Sequence, residues 1–284
     1  MSNVQKYKFN SFIWGEEKME KSWLNLEEKV VIVTGGVAGI GKHIASVISH
    51  CGAKVIICDC NVENGTVIDG MNCLKCDVTK KDSVVAMVEK VVKNYGRIDG
   101  LINNAGVMRP QLLVDVYGTN PEYEIDENSF DFMVNVNIKG VMFCSQAVAK
   151  QQLKQGKGVI VNISSESGME GSIGQSIYAA TKSAVNCLTR SWAKELGSKN
   201  IRVVGIAPGI MEKTDMRTES YNKALAYTRG TKSENLSTDY SQSIPLGREG
   251  KLDEVGYLAA FLISDKADYI TGTTLNITGG KSRG

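Results

Sequence analysis

The sequence predicts an α/β protein, a single doubly wound parallel sheet with helices on both faces. Two observations carry this. Short β-branched runs such as KVVIVTGG (29–36), AKVIICD (53–59) and IRVVGIAPG (201–209) read as strands buried on both faces. Strands alternate with helices throughout, the helices marked by apolar residues at helical spacing, as in DSVVAMVEKVVKNYG (82–96). That alternation calls for βαβ units with right-handed crossovers.

The elements follow in order. After the first strand a helix runs from Ile40 to His50, and AKVIICD is the second strand. NCLKCDV (72–78) reads as the third strand, followed by the helix of 82–96. RIDGLINNAG (97–106) is a fourth strand that opens into a loop. SFDFMVNVNIKGVMFCSQAVAKQQLKQG (129–156) reads as one long helix, and GKGVIVNISS (156–165) as the fifth strand. A helix from Gln175 to Leu196, the sixth strand at 201–209, a helix at 253–264 and a last strand at 273–280 complete the unit. Segment 210–250 is polar and weakly patterned. With no internal repeat and no low-complexity linker, one domain over 24–284 is the simplest account, preceded by an extension, 1–23, outside the fold. Met19 is a plausible alternative start within that extension.

Composition narrows the function classes. A chain of 284 residues with 42% hydrophobic and 23% charged residues can bury a large core. A net charge of +2 gives no reason to expect nucleic acid or an anionic membrane surface as partner. No apolar run reaches the roughly 18 residues of a membrane-spanning helix, and FIW near the start is too short for a signal segment. Seven cysteines without a secretory signal suit reduced thiols in the cytoplasm. Cys58, Cys60, Cys73 and Cys76 have zinc-like spacing, but they read better as small buried side chains at strand ends. His43 and His50 read as helix-surface residues, so no metal is expected.

The loop TGGVAGIG (34–41) joins the first strand to the first helix. Gly35, Gly39 and Gly41 give the spacing G-x-x-x-G-x-G. Such a loop lets backbone approach a pyrophosphate at a helix N-terminus, where free N–H groups and the helix dipole favour anions. Asp59 ends the second strand about 20 residues after the loop, the distance at which an acid accepts both ribose hydroxyls and repels a 2′-phosphate. NAD is therefore expected over NADP, with Lys42 the one nearby base that pulls the other way.

IYAATKSAV (177–185) places Tyr178 and Lys182 four residues apart, on one helical face among small side chains. An ammonium beside a phenol is expected to lower its pKa from about 10, making a general acid/base for alcohols and ketones. Ser165 ends the fifth strand and can bond the reacting oxygen. Asn137 stands mid-helix, where propensity disfavours it, and is expected to bond backbone and a water behind the lysine.

Together TGGVAGIG, NNAG (103–106), Asn137, Ser165, Y-x-x-x-K and PGIMEKT (208–214) resemble the short-chain dehydrogenase/reductase family over residues 24–284. The resemblance implies a Rossmann-type dinucleotide domain and a catalytic tetrad of Asn137, Ser165, Tyr178 and Lys182. Tyr178 would be the general acid/base, Lys182 would bind the nicotinamide ribose and tune Tyr178, Ser165 would orient the substrate oxygen, and Asn137 would hold a water. It further implies cofactor contacts at Gly35, Gly39, Ile40, Gly41, Asp59, Asp77, Val78, Asn104, Pro208, Gly209, Ile210 and Thr214, besides Tyr178 and Lys182. It also implies assembly through the two long helices, most often as a homotetramer.

Substrate choice rests on the parts that vary, the substrate loop 107–130, the lid 210–250 and the C-terminal GGKSRG. They hold Arg109, Lys213, Arg217, Arg229, Lys232, Arg248, Lys281 and Arg283, a supply of cations for a phosphorylated substrate. SSESGMEGSIGQSIYAATK, ALAYTRG, PLGREGKLDEV and ITGGKSRG resemble family members from Gram-positive sugar-alcohol pathways. Those oxidise sorbitol 6-phosphate to fructose 6-phosphate, with hydride passing from carbon 2 to NAD. Glu166 and Glu170 could bond polyol hydroxyls or structural N–H groups. Alternatives are another sugar alcohol, an acyl-chain keto substrate, or a non-catalytic dinucleotide sensor.

Overall fold

In the computed structural model of the chain, residues 22–214, 218–236 and 240–282 are described. The expected extension falls almost wholly outside them, as do Arg217 and Arg283. Leu24 and Leu26 are buried in the core.

The strands are β1 Val30–Thr34, β2 Lys54–Asp59, β3 Val67–Ile68, β4 Met71–Lys75, β5 Gly100–Asn103, β6 Gly158–Ile163, β7 Ile201–Pro208 and β8 Thr274–Ile277. The helices are α1 Gly39–His50, α2 Lys81–Tyr95, α3 Glu127–Val134, α4 Val141–Gln155, the single turn α5 Ser167–Glu170, α6 Ser176–Leu196, α7 Glu219–Thr228 and α8 Leu252–Ile263. They form one sheet of order β3-β4-β2-β1-β5-β6-β7-β8, parallel except for β3 against β4. The expected Rossmann-type, doubly wound sheet is therefore present.

Alternation along β1 separates the two halves of the core. Val31 and Val33 join the layer of α1 and α8, with Ile44, Ile48, Val255 and Ala259. Val30 and Ile32 join the layer of α2 and α4, with Val84, Val91, Cys144 and Val148. Because both faces are covered, all five residues of VVIVT are buried. His43 does more than sit on the surface of α1. Its Nδ1 lies 2.6 Å from Asp253 Oδ1 on α8.

Three expectations need correction. No helix links β2 to β4. Residues 60–70 contain Gly65 and Gly70 at φ +88° and +79°, and Asp69 at +49°, which is turn geometry that a right-handed helix cannot use. The short β3 forms there instead. The long helix of 129–156 runs from 127 to 155, but Asn135–Gly140 is a π-helical turn between α3 and α4. One extra residue in that turn rotates Asn137 inward. Lastly, the weakly patterned 210–250 contains α7, capped by Thr218 Oγ1 on the Tyr221 N–H.

Gly256 shows how closely α1 and α8 approach. A Cβ there would lie 2.7 Å from Val47 Cγ2 and 3.1 Å from the His43 carbonyl oxygen. Alanine gains about 1 kcal/mol of helix propensity, while overpacking costs about 1–3 kcal/mol. The overpacking term should win, so Gly256→Ala is expected to lower the midpoint of chemical denaturation. An unchanged or raised midpoint would show that the helices part freely.

Candidate active site

The C-terminal ends of the parallel strands bring the predicted residues to one edge of the sheet, where α/β proteins bind ligands. Two turns meet there. Gly35, at φ +64°, follows β1, and a Cβ on it would lie 2.8 Å from Ala105 Cα in the turn after β5. A Cβ on Gly41 would strike the Gly35 carbonyl oxygen at 2.2 Å and Asn104 Nδ2 at 2.3 Å. These glycines are required by chain-to-chain packing. Asn104 Nδ2 donates to the Thr34 and Gly35 carbonyls at 3.0 and 2.9 Å. Thr34 Oγ1 accepts the N–H groups of Asn104 and Ala105, both at 3.1 Å. The Asn104 side chain thus ties the turns together.

The start of α1 faces outward from this junction. Ala38 at its N-cap has no side-chain oxygen to offer, so Gly39, Ile40 and Gly41 carry the free N–H groups of the first turn. Across from them, a Cβ on Gly39 would stand 3.6 Å from Thr214. The expected pyrophosphate loop and the lid threonine are thus neighbours. This first turn of α1, with its free N–H donors and Gly39 opposite Thr214, fits a dinucleotide phosphate.

Asp59 ends β2 half-buried, its Oδ1 accepting the Asn61 N–H at 3.0 Å. Lys42, the base that could favour a 2′-phosphate, lies 3.7 Å from Asp69 in the β3 hairpin. Asp77 Oδ1 is engaged by the Thr79 N–H and hydroxyl, at 2.9 and 2.7 Å. Val78 closes on Gly140, where a Cβ would meet Val78 Cγ2 at 2.8 Å. Pro208 ends β7, and Gly209 donates its N–H to the Ile277 carbonyl at 3.0 Å. Ile210 accepts from the Gly250 N–H at 3.0 Å.

Tyr178 and Lys182 lie on α6 as the spacing predicts, and the Ser165 hydroxyl is near enough to pull the Tyr178 phenol's pKa down. Lys182 is buried, its ammonium 5.7 Å from the centre of the Tyr178 ring and donating to the Ile163 carbonyl at 2.8 Å. Asn137 is fully buried. Its Oδ1 accepts the Val107 N–H at 2.8 Å, and its Nδ2 donates to the Val107 carbonyl at 2.9 Å and to Thr181 Oγ1 at 3.0 Å. Gly106 stands between: a Cβ there would be 3.4 Å from Lys182 Nζ and 3.5 Å from Asn137 Oδ1. The four tetrad positions thus converge, but the Asn137 side chain is occupied by backbone and Thr181.

The phenol departs from expectation. Burial pushes Tyr178 up to about 12, against the pull of the Ser165 hydrogen bond, although the residue as a whole keeps some exposure. Burial also lowers Lys182 to about 8. Desolvation outweighs the attraction between the pair, because the ammonium is aimed at Ile163 instead of the phenol oxygen.

Sequence reasoning missed a buried polar chain beneath the site. Asn103 Nδ2 donates to Ser145 Oγ and Asn162 Oδ1, both at 2.8 Å, and Asn162 Nδ2 donates to Thr189 Oγ1 at 2.9 Å. The chain links β5, β6, α4 and α6. Its signal was an asparagine inside the apolar run GVIVNI. Tyr227 of α7 was missed as well. Its hydroxyl donates to Asp115 Oδ1 at 2.6 Å and accepts the Asn120 N–H at 3.1 Å, while its ring meets those of Tyr117 and Tyr123 at 5.3 and 4.8 Å. This clasp joins segment 107–126 to α7.

The candidate cations divide. Arg248 pairs with Glu254 through two nitrogens and Lys281 pairs with Glu166. Arg109 lies 4.6 Å over the Phe132 ring and donates to Ser129 Oγ. Lys213, Arg229 and Lys232 are exposed. Cys58, Cys73 and Cys76 are buried free thiols and Cys60 is exposed; among the described residues no three metal-binding groups converge.

Lys182 gives a test of the site's cost. A lysine whose pKa falls on folding binds fewer protons when folded, so its penalty is full below about pH 8 and fades as pH rises towards the unfolded value. Lys182→Met is expected to raise the melting temperature at pH 7, with a gain that shrinks by pH 10. A gain independent of pH would show that the ammonium carries no such penalty.

The comparisons agree with this geometry. The short chain dehydrogenase family model matches residues 29–225. The chain is 51% identical to a sorbitol-6-phosphate 2-dehydrogenase of Klebsiella pneumoniae, over 93% of this chain and 99% of that protein. It is 41% identical to a 3-oxoacyl-[acyl-carrier-protein] reductase of Thermotoga maritima, over 90% and 99%. Among solved structures it is similar to the ligand-free aldohexose dehydrogenase of Thermoplasma acidophilum, with 30% identity, TM-score 0.76, and 90% and 94% of the two chains covered. A 3-ketoacyl-(acyl-carrier-protein) reductase of Brucella melitensis complexed with NADH matches at 30% identity and TM-score 0.75, over 90% and 99%. Among the described residues, no helix is long and apolar enough to cross a membrane. By its matched motifs, its sheet and its relatives, the chain belongs to the short-chain dehydrogenase/reductase family of oxidoreductases.

Proposed function

We propose that the chain interconverts sorbitol 6-phosphate and fructose 6-phosphate, with NAD as its cofactor. The observation that carries this reading is the 51% identity to the Klebsiella protein along nearly the whole of both chains. NAD held by the Gly35–Gly41 loop, Asp59 and Lys182 would supply the hydride acceptor for carbon 2. The residues of the chain do the rest. The Tyr178 phenolate takes up the proton of the substrate alcohol, and the neutral phenol gives one to the ketone. A pKa of about 12 keeps it protonated at neutral pH, the form that ketone reduction needs. Ser165 holds the substrate oxygen beside that phenol. Lys182 holds the nicotinamide ribose.

Asn137 acts by positioning. Its side chain clamps Val107 in both directions and so fixes the Gly106 backbone against Lys182. Asp59 reads the adenosine ribose and repels a 2′-phosphate, and Lys42, the nearby base, lies 3.7 Å from Asp69. The Gly35–Gly41 loop, Asp77, Val78, Asn104 and Pro208–Thr214 frame the cofactor, and segments 107–130 and 210–250 form the substrate walls. On the same reading, residues 1–23 stand outside the catalytic domain 24–284. Copies of the chain pair through α4 and α6 into a cytoplasmic homotetramer.

Initial rates of NADH formation with sorbitol 6-phosphate, sorbitol and mannitol 1-phosphate, each with NAD and NADP, test the reading. Turnover is expected for sorbitol 6-phosphate with NAD alone. Equal turnover of sorbitol would remove the phosphate from the recognition. The identity to the Thermotoga reductase favours a second reading, a 3-oxoacyl substrate, which rapid reduction of an acetoacetyl thioester would support. Asp59→Ala is expected to lower kcat/KM for NAD by about 10-fold or more, the loss of charge-assisted bonds to the ribose. It should narrow the preference over NADP. An unchanged preference would move cofactor choice elsewhere.

A further inference from the structure

We propose that Glu166 binds a substrate hydroxyl on a carbon next to the reacting one, and that Lys281 from the C-terminal segment aims it. The inference rests on the polyol reading of the site. Glu166 directly follows Ser165, the residue that meets the Tyr178 phenol. Its N–H donates to the Pro208 carbonyl at 3.0 Å, which fixes it across the ends of β6 and β7. The residue is 9% exposed.

The two carboxylate oxygens differ. Oε1 receives the Lys281 ammonium. Oε2 is buried without a hydrogen-bond partner among the described residues. It lies against the Gly209 backbone, 3.1 Å from where a Cβ would stand, beside Thr278. Glu166 and Gly209 stand at the C-terminal ends of β6 and β7, the strand ends that also carry Ser165. A buried carboxylate oxygen with no donor is costly, and a structural ion pair alone gives no reason to leave it so.

The missing partner is a neutral donor. A second anion such as the substrate phosphate would be repelled, whereas an alcohol O–H supplies one short bond to a carboxylate. Two hydroxyls on neighbouring carbons are thereby assigned, one to Ser165 and one to Glu166. A 3-oxoacyl chain has only methylene groups beside its ketone and offers Glu166 nothing. The pair thus separates hydroxyketones from simple ketones, and Lys281 makes that discrimination depend on the C-terminal segment.

The test is ketone reduction by the full-length enzyme, followed as NADH oxidation. Substrates are fructose 6-phosphate, its 1-deoxy and 3-deoxy analogues, hydroxyacetone and acetone. The wild type should prefer fructose 6-phosphate to one deoxy analogue by about 10–100-fold, the worth of a hydrogen bond to a charged group. Glu166→Gln should bring that preference within about 3-fold, with NADH affinity measured by fluorescence unchanged. Lys281→Met should weaken the preference mainly through KM, and Lys281→Arg should restore it. Equal slowing of every ketone by Glu166→Gln, or a wild type indifferent to both deoxy analogues, would overturn the proposal. If fructose 6-phosphate is inert but hydroxyacetone is preferred to acetone only while Glu166 is present, the sugar-phosphate reading fails and the role of Glu166 stands.

Discussion

An ammonium group taken out of water organises this protein. Lys182 is buried on α6, and almost everything around it is arranged to tolerate it. The end of β6 supplies the Ile163 carbonyl, Gly106 brings bare backbone alongside, and the π-turn delivers Asn137 to hold that backbone still. A charge in such surroundings loses solvation that one hydrogen bond does not replace, hence its lowered pKa. A fold selected for stability alone would put an apolar side chain here. On the proposed reading, the lysine is kept there to bond the hydroxyls of a ligand.

The second organising feature is steric. The turns after β1 and β5 touch so closely that neither Gly35 nor Gly41 admits a side chain, and the Asn104 amide bridges what remains. Contact between these turns, rather than contact with a phosphate, accounts for Gly35 and Gly41, two of the three motif glycines. The remaining one, Gly39, opens the first turn of α1 opposite Thr214. The anion cradle and the packing of the strand ends are therefore one structure.

Much of this was legible in the sequence. The buried strands β1, β2, β6 and β7 announce themselves because β-branched runs without polar interruption have few other uses. The Tyr178–Lys182 spacing gave one helical face directly. What escaped detection depends on contacts distant in the chain. The π-turn leaves no local mark except an asparagine in an unfavourable place. The helix missing between β2 and β4 was hidden by the regularity of its neighbours, though the glycines and asparagines of NVENGTVIDG spoke against one. The phenol shifted in the opposite direction because spacing shows which groups are neighbours, and only the three-dimensional structure shows that Lys182 points at Ile163 and how dry the pair is.

The clasp at Tyr227 bears on how such a site can change. Segment 107–126 and α7 are far apart in the chain, yet they share one phenol hydroxyl and a cluster of three aromatic rings. Neither wall can be redrawn without disturbing the other. On the reading that both segments line the substrate, a new range is reached most easily by exchanging them together, as a matched pair on an unchanged sheet. In evolutionary terms the two walls form a single heritable module, although the chain encodes them in two places.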